Sequence, residues 1–173
     1  GLSWPGALCG AALFGWAVLK LLGLSISDGF DRLSRMLLPA ASFAWLGAWI
    51  TGTASGAPLP AGTWWGMQIP DEWGVISLRV PLQPAAFISL MIVLILLEQL
   101  IHHTNRKGLK AGWIGLAFSI HTLLFSFMRY DSIQRIYGLR LDTWAAVFWT
   151  IFFIVILLIL KVKPKTKGSL ETE

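Results

Sequence analysis

Apolar positions along the chain fall into long blocks rather than alternating at short periods. Runs of mostly apolar residues occupy positions 7–24, 36–54, 84–101, 111–128 and 144–160. Each is close to the ~20 residues an α-helix needs to cross ~30 Å of hydrocarbon. The pattern predicts an all-α integral membrane protein: one membrane domain over residues 1–160 with five transmembrane helices, then a basic tail over 161–173. The segment 55–83 stands apart, with prolines at 58, 60, 70 and 81 and with Trp64, Trp65 and Trp73. Indole rings favour the membrane–water boundary, so this segment is expected to lie on the outer leaflet as a small cap.

Composition supports the same class. Apolar residues make up 55% and charged residues 13%, against about 25% charged in ordinary soluble domains; the mean hydropathy is +0.67. Arg32, Arg35, Arg106, Lys107, Lys110, Lys161, Lys163, Lys165 and Lys167 would lie on one side of the membrane, and Arg79, Arg129, Arg135 and Arg140 on the other. Because basic flanks stay cytoplasmic, the tail is predicted inside and the loop 55–83 outside. The net charge of +5 follows from this topology and suits anionic lipid; a nucleic-acid partner would need a soluble basic surface. The chain enters apolar sequence at once, without a charged n-region or a small-residue cleavage site. It therefore reads as a mature or trimmed chain, not as a signal peptide. Cys9 is the lone cysteine, so no internal disulfide is expected, and no Cys/His set has metal-binding spacing. No metal or cofactor is expected.

Small residues recur at four-residue spacing, Gly6 with Gly10, Ala11 with Gly15, and Gly52 with Gly56. This spacing lets helix backbones approach closely. Pro39 predicts a kink or a helix start, since it removes an amide donor. On the fourth helix Ser119, Thr122, Ser126 and Arg129 share a face that should point into the bundle. His121 lies beside that face, where hydrogen-bonded packing is the more ordinary role than a base. Glu98, Gln99, His102 and His103 lie near a helix end, where snorkelling accounts for them. Arg129 needs an anionic partner or water: a phospholipid phosphate, a carboxylate such as Asp131, or hydration as a snorkelling side chain. Arg129, His121 and Arg140 are thus the lipid-headgroup candidates. No nucleophile–base pair, carboxylate pair or phosphate loop is present, so no catalytic residue is assigned.

The order of short motifs resembles the prolipoprotein diacylglyceryl transferase family. The opening GLSWPGALCG is similar to G-x-S-F-H-G-G-L-x-G, and AWLGAWITGTASG to the signature G-R-x-G-N-F-x-N-x-E-x-x-G. GAPLPAGTWWGMQIP resembles G-x-P-T-x-x-P-W-G-x-x-F-P, LQPAAFIS stands in place of R-H-P-[ST]-Q-L-Y-E, and FSFMRYD in place of V-E-F-F-R. The resemblance covers nearly all of residues 1–160 and would correspond to the family's last five helices of seven. It implies a bacterial inner-membrane protein related to enzymes that move diacylglyceryl from phosphatidylglycerol to a lipobox cysteine.

The frame is retained and the charged positions are not. Pro5 stands where the family has histidine, and Trp45, Ala48, Thr51 and Thr53 stand where its signature has arginine, two asparagines and glutamate. The His-Pro-x-Gln-x-Tyr-Glu group is reduced to Gln83, Pro84, Ala86, Ile88 and Ser89, and Thr122 and Ser126 replace an arginine and a glutamate. Gly47, Gly56, Pro58, Trp65, Gly66, Pro70, Pro84 and Arg129 remain. Loss of these groups removes headgroup charge compensation and proton transfer. The expectation is a catalytically silent relative that acts as a structural or lipid-binding subunit, with phospholipid and other membrane subunits as partners. An active transferase using other residues is the alternative. A coupled solute carrier fits less well, because charged midplane sites are missing.

Overall fold

The computed structural model describes residues 4–71, 73–104, 106–130 and 135–162. Among these, five helical stretches are long and apolar enough to cross a membrane. They are α1 (Trp4–Leu21), a second span made of α2 (Ile26–Leu33), a 3-10 turn (Ser34–Met36) and α3 (Leu37–Ile50), then α4 (Leu82–Ile101), α5 (Leu109–Met128) and α6 (Leu141–Val162). The protein is a multi-pass helical membrane protein. The helices start two or three residues before four of the apolar runs, because a helix begins in its polar or proline-bearing lead. Pro39 sits in the first turn of α3, where its missing N–H costs nothing. The helix start predicted there is the one observed.

The core lies between α3, α4 and α5, with Leu38, Leu90, Leu97, Ile101, Ile114 and Phe118 buried together. The closest backbone approach is between α5 and α6. A Cβ on Gly115 would collide with the Phe153 ring, and one on Gly112 would lie 2.7 Å from Leu157. Hydrocarbon offers no hydrophobic drive for helix pairing, so dispersion between closely packed surfaces must supply it. Of the glycines singled out by spacing, Gly15 is buried where α1 meets α2, a Cβ there lying 3.4 Å from Leu33 and 3.7 Å from Phe30, and the others behave differently. Gly6 and Gly10 face outward, and Gly52 and Gly56 lie beyond the end of α3 in the connecting segment. There they pack backbone on backbone, a Cβ on Gly56 lying 2.5 Å from the Val80 carbonyl.

One end of the bundle is tied by helix capping across elements. Asp31 on α2 accepts the N–H of Gly108 and of Ala111 at 2.7 Å each, satisfying amides at the start of α5. Arg106 donates to the Leu160 and Lys161 carbonyls at the end of α6, at 3.1 and 3.2 Å. Lys107 pairs with Asp28 at 2.7 Å. The opposite end carries the cap. Residues 67–70 (β1) and 76–79 (β2) form an antiparallel hairpin with Met67 opposite Arg79, and 135–136 (β3) and 139–140 (β4) form a second, shorter one. Tyr137 and Gly138 at its turn both have positive φ, 51° and 78°, as a two-residue hairpin turn requires. The segment 55–83 is therefore a folded hairpin and not only a surface-lying loop. The tail beyond residue 162 and Asp131 lie outside the described residues.

The α5–α6 contact yields a test. Gly115→Ala should lower stability in detergent by about 1–3 kcal/mol through overpacking against Phe153. Thermal unfolding of the single variant and of Gly115→Ala with Phe153→Leu checks it, the second change recovering most of the loss.

Candidate functional site

A cleft of about 670 Å³ opens between α1, α3 and α5. Its long wall is one face of α3, where Leu37, Ala40, Ala41, Ala44, Trp45 and Ala48 recur at helical spacing. Trp4, Ala7, Leu8 and Ala11 of α1 form the facing wall, and Phe118 and Thr122 of α5 the floor. Alanine on both walls leaves the space between the helices unfilled. The polar lining residues are Thr53, Thr122, Arg129 and Asp142. Since α3 and α5 both run toward the cap, Thr53 beyond α3, Arg129 closing α5 and Asp142 opening α6 lie at the cap end. The cleft is thus amphiphilic along its length, charged at one end and apolar over the rest.

Arg129 owes its position to the backbone. It leaves α5 in an extended conformation, φ −77° and ψ 139°, and pairs with Gly56 of the cap segment as an antiparallel bridge. The Tyr130 N–H donates to the Ser55 carbonyl at 2.9 Å. Its guanidinium meets Asp142 at 3.1 Å, and Arg140 approaches the same carboxylate oxygen at 3.7 Å. The Arg129, Asp142 and Arg140 side chains are 17%, 11% and 6% exposed, so the charges interact under weak screening. Asp142 also lies in the first turn of α6, where a negative charge is favoured by the helix dipole. Beside it Thr143 donates to Ser126 at 3.0 Å. Ser119, Thr122 and Ser126 otherwise donate to carbonyls of their own helix, a common way to satisfy hydroxyls in apolar surroundings.

Of the three headgroup candidates, Arg129 lines the cleft and Arg140 is joined to it through Asp142. His121 lies away from the cleft. It is buried against α4, shares a 2.8 Å hydrogen bond with Ser89, and stacks on Phe125 at 4.4 Å. Phe125 in turn meets Trp45 at 5.8 Å, so His121 braces the cleft wall from behind. Asp142 was missed in the sequence because it begins an apolar run and adjoins no recognised motif. Its place one residue after the start of a helix and two from Arg140 is the only local signal.

Positions where the resemblance places arginine, asparagine and glutamate gather here. Trp45, Ala48, Thr53 and Thr122 all line the cleft. Thr51 donates to the Gly47 carbonyl at 3.0 Å and shares a 3.0 Å hydrogen bond with Thr53. Gln83, fully buried, donates to the Thr53 carbonyl at 3.0 Å and ties the cap segment to α4.

Five membrane-spanning helices, a folded hairpin cap and a cleft with its charge at the cap end define a multi-pass helical membrane protein. The sequence model of the family described as prolipoprotein diacylglyceryl transferase matches residues 1–159. The chain belongs to that family. It is also similar to a phosphatidylglycerol–prolipoprotein diacylglyceryl transferase of Frankia alni (strain DSM 45986 / CECT 9034 / ACN14a), 26% identical over 168 residues. That match covers 93% of this chain and 43% of the Frankia protein, so the chain spans less than half the length of that relative.

Removing the shared carboxylate tests the charge cluster. Asp142→Ala should destabilise the protein by about 3 kcal/mol, because it leaves two arginines with their common acid removed. Adding Arg129→Met should cost less than the sum of the two single changes. A double-mutant cycle on thermal stability measures that coupling.

Proposed function

We propose that this protein is a catalytically silent member of the diacylglyceryl transferase family that binds phospholipid and serves as a lipid-binding or structural subunit of a larger membrane assembly. The observation that carries the reading is the lining of the cleft. Four positions at which the family pattern has polar or charged groups hold Trp45, Ala48, Thr53 and Thr122, all on the cleft wall. General acid–base catalysis typically contributes about 10²–10⁴ in rate, and several of its candidates are replaced together. What remains is a site for an anionic headgroup near Arg129 and Arg140, with an apolar groove for an acyl chain. Phosphatidylglycerol, the substrate in the Frankia relative's name, is the lipid this reading favours. The bacterial inner membrane is the corresponding location.

Two arms test it. With the complete gene, neither rescue of a transferase-depleted bacterium nor thioether-linked diacylglyceryl product on a lipobox peptide is expected; either result would establish the active-transferase alternative. In the same preparations, phospholipid should copurify in gentle detergent and fall when Arg129 is changed to Ala. Unchanged lipid in that variant would remove the headgroup role.

The orientation belongs to the same reading. The lysines and arginines of 25–35, 102–110 and the tail favour a cytoplasmic tail and an outward cap. A cysteine introduced at Thr63, in a background where Cys9 is replaced, should react with an impermeant reagent applied to intact cells. Labelling only after the membrane is opened would reverse the orientation.

A further inference from the structure

We propose that the tip of the β1–β2 hairpin is a membrane wedge, which seats the cap in the headgroup region of the leaflet beside the end of α3. Trp73, Val75 and Ile76 are 66%, 60% and 68% exposed, three large apolar side chains within four residues. In a water-facing cap they would form a patch inviting aggregation. Their polar surroundings are instead tied off inward. The Asp71 and Gly74 N–H groups donate to the Val75 and Asp71 carbonyls, at 3.1 and 2.9 Å. Asp71 Oδ1 accepts the N–H of Trp73 at 3.0 Å and of Val75 at 2.9 Å. Asp71 Oδ2 meets the Arg79 guanidinium at 3.0 Å, with both side chains mostly buried. The backbone donors of the described tip are thereby satisfied and the Asp71 charge is compensated, which is what entry into a low-dielectric interface demands. Glu72, the other carboxylate of the tip sequence, lies outside the described residues.

Depth is set by contact with a span. Gly52 lies two residues beyond α3, with φ +68°, and a Cβ there would sit 2.9 Å from the Asp71 carbonyl and 3.1 Å from that of Pro70. The base of the tip therefore rests on the end of the second span, level with Ile50, which is 78% exposed. On its other side β2 leads through Val80 and Pro81 into α4, whose Ile88 and Ile92 face outward. The spans on both sides of the cap segment thus present apolar side chains that a bilayer covers, Ile50 on α3 and Ile88 and Ile92 on α4, and tryptophan is the side chain enriched where such spans meet water.

The test uses the full chain with Cys9→Ser, bearing an environment-sensitive fluorophore on Val75→Cys or, separately, Ile76→Cys, in phosphatidylglycerol/phosphatidylethanolamine vesicles. At both sites emission should shift to the blue and fall by roughly half with a quencher carried near the lipid headgroup, while aqueous iodide has little effect. Water-like emission quenched by iodide would overturn the proposal. Protection from both quenchers would overturn it too, in favour of a protein contact. Gly52→Ala, which pushes the tip off α3, should raise iodide quenching at both sites.

Discussion

A single backbone bridge, Gly56 to Arg129, holds the charged end of this molecule in place. It joins the segment after α3 to the segment after α5, elements 73 residues apart in sequence, and it lets Arg129 leave its helix extended rather than continue it. Without that change of direction the guanidinium would follow the helical path instead of meeting Asp142. The bridge depends on glycine for a steric reason, since Val80 occupies the space a Cβ would need. The Tyr130 to Ser55 hydrogen bond repeats the link one residue further on. The cap is therefore part of the cleft's construction: it closes the polar end and aims Arg129.

The two ends of the bundle solve the same problem differently. Helix termini expose unpaired amides and carbonyls, and near hydrocarbon these cannot rely on water. At the end away from the cap, charged side chains of neighbouring elements take the role: Asp31 on the start of α5 and Arg106 on the end of α6. At the cap end, backbone does much of it through the hairpins and the bridge. Between them α5 and α6 approach on Gly112 and Gly115, which fixes where α6 begins and so where Asp142 meets Arg129 and Arg140. The cluster is thus set by both a β-type bridge and a helix–helix contact.

The five spans were legible in the sequence because length and hydropathy are properties of single segments. The cap's fold was less so. Prolines at 58, 60, 70 and 81 obscure the short alternation of residues 67–70 and 76–79, and the tryptophans in that region indicate an interface rather than strands. Glycine spacing misdirected attention for a related reason. Gly6 and Gly10 have helical spacing but lie exposed, and a Cβ on Gly10 would meet nothing within 4 Å, whereas Gly112 and Gly115 are effective because Leu157 and Phe153 sit opposite. Which glycine matters depends on the neighbour, and the neighbour is tertiary information. Arg129 and Arg140 were legible as charges near helix ends. That Asp142 would join them, and that His121 would turn to Ser89 instead, required the three-dimensional arrangement.

The substitutions on the cleft wall make physical sense as a set. Where the resemblance places arginine and glutamate, deleting one buried charge alone would strand its partner, at a cost of about 3–5 kcal/mol. Having Trp45, Thr53, Thr122 and Ser126 at these positions together leaves no such orphan. The hydroxyls are satisfied locally, Thr51 on Gly47 and Thr53, Thr122 on Phe118, and Ser126 on Leu123. The charged end is likewise paired, with the Asp142 carboxylate between Arg129 and Arg140. Gly56 holds a backbone contact that no larger residue could make, so the polar end of the cleft rests on backbone geometry, while its wall presents alanine, leucine and tryptophan together with locally satisfied hydroxyls.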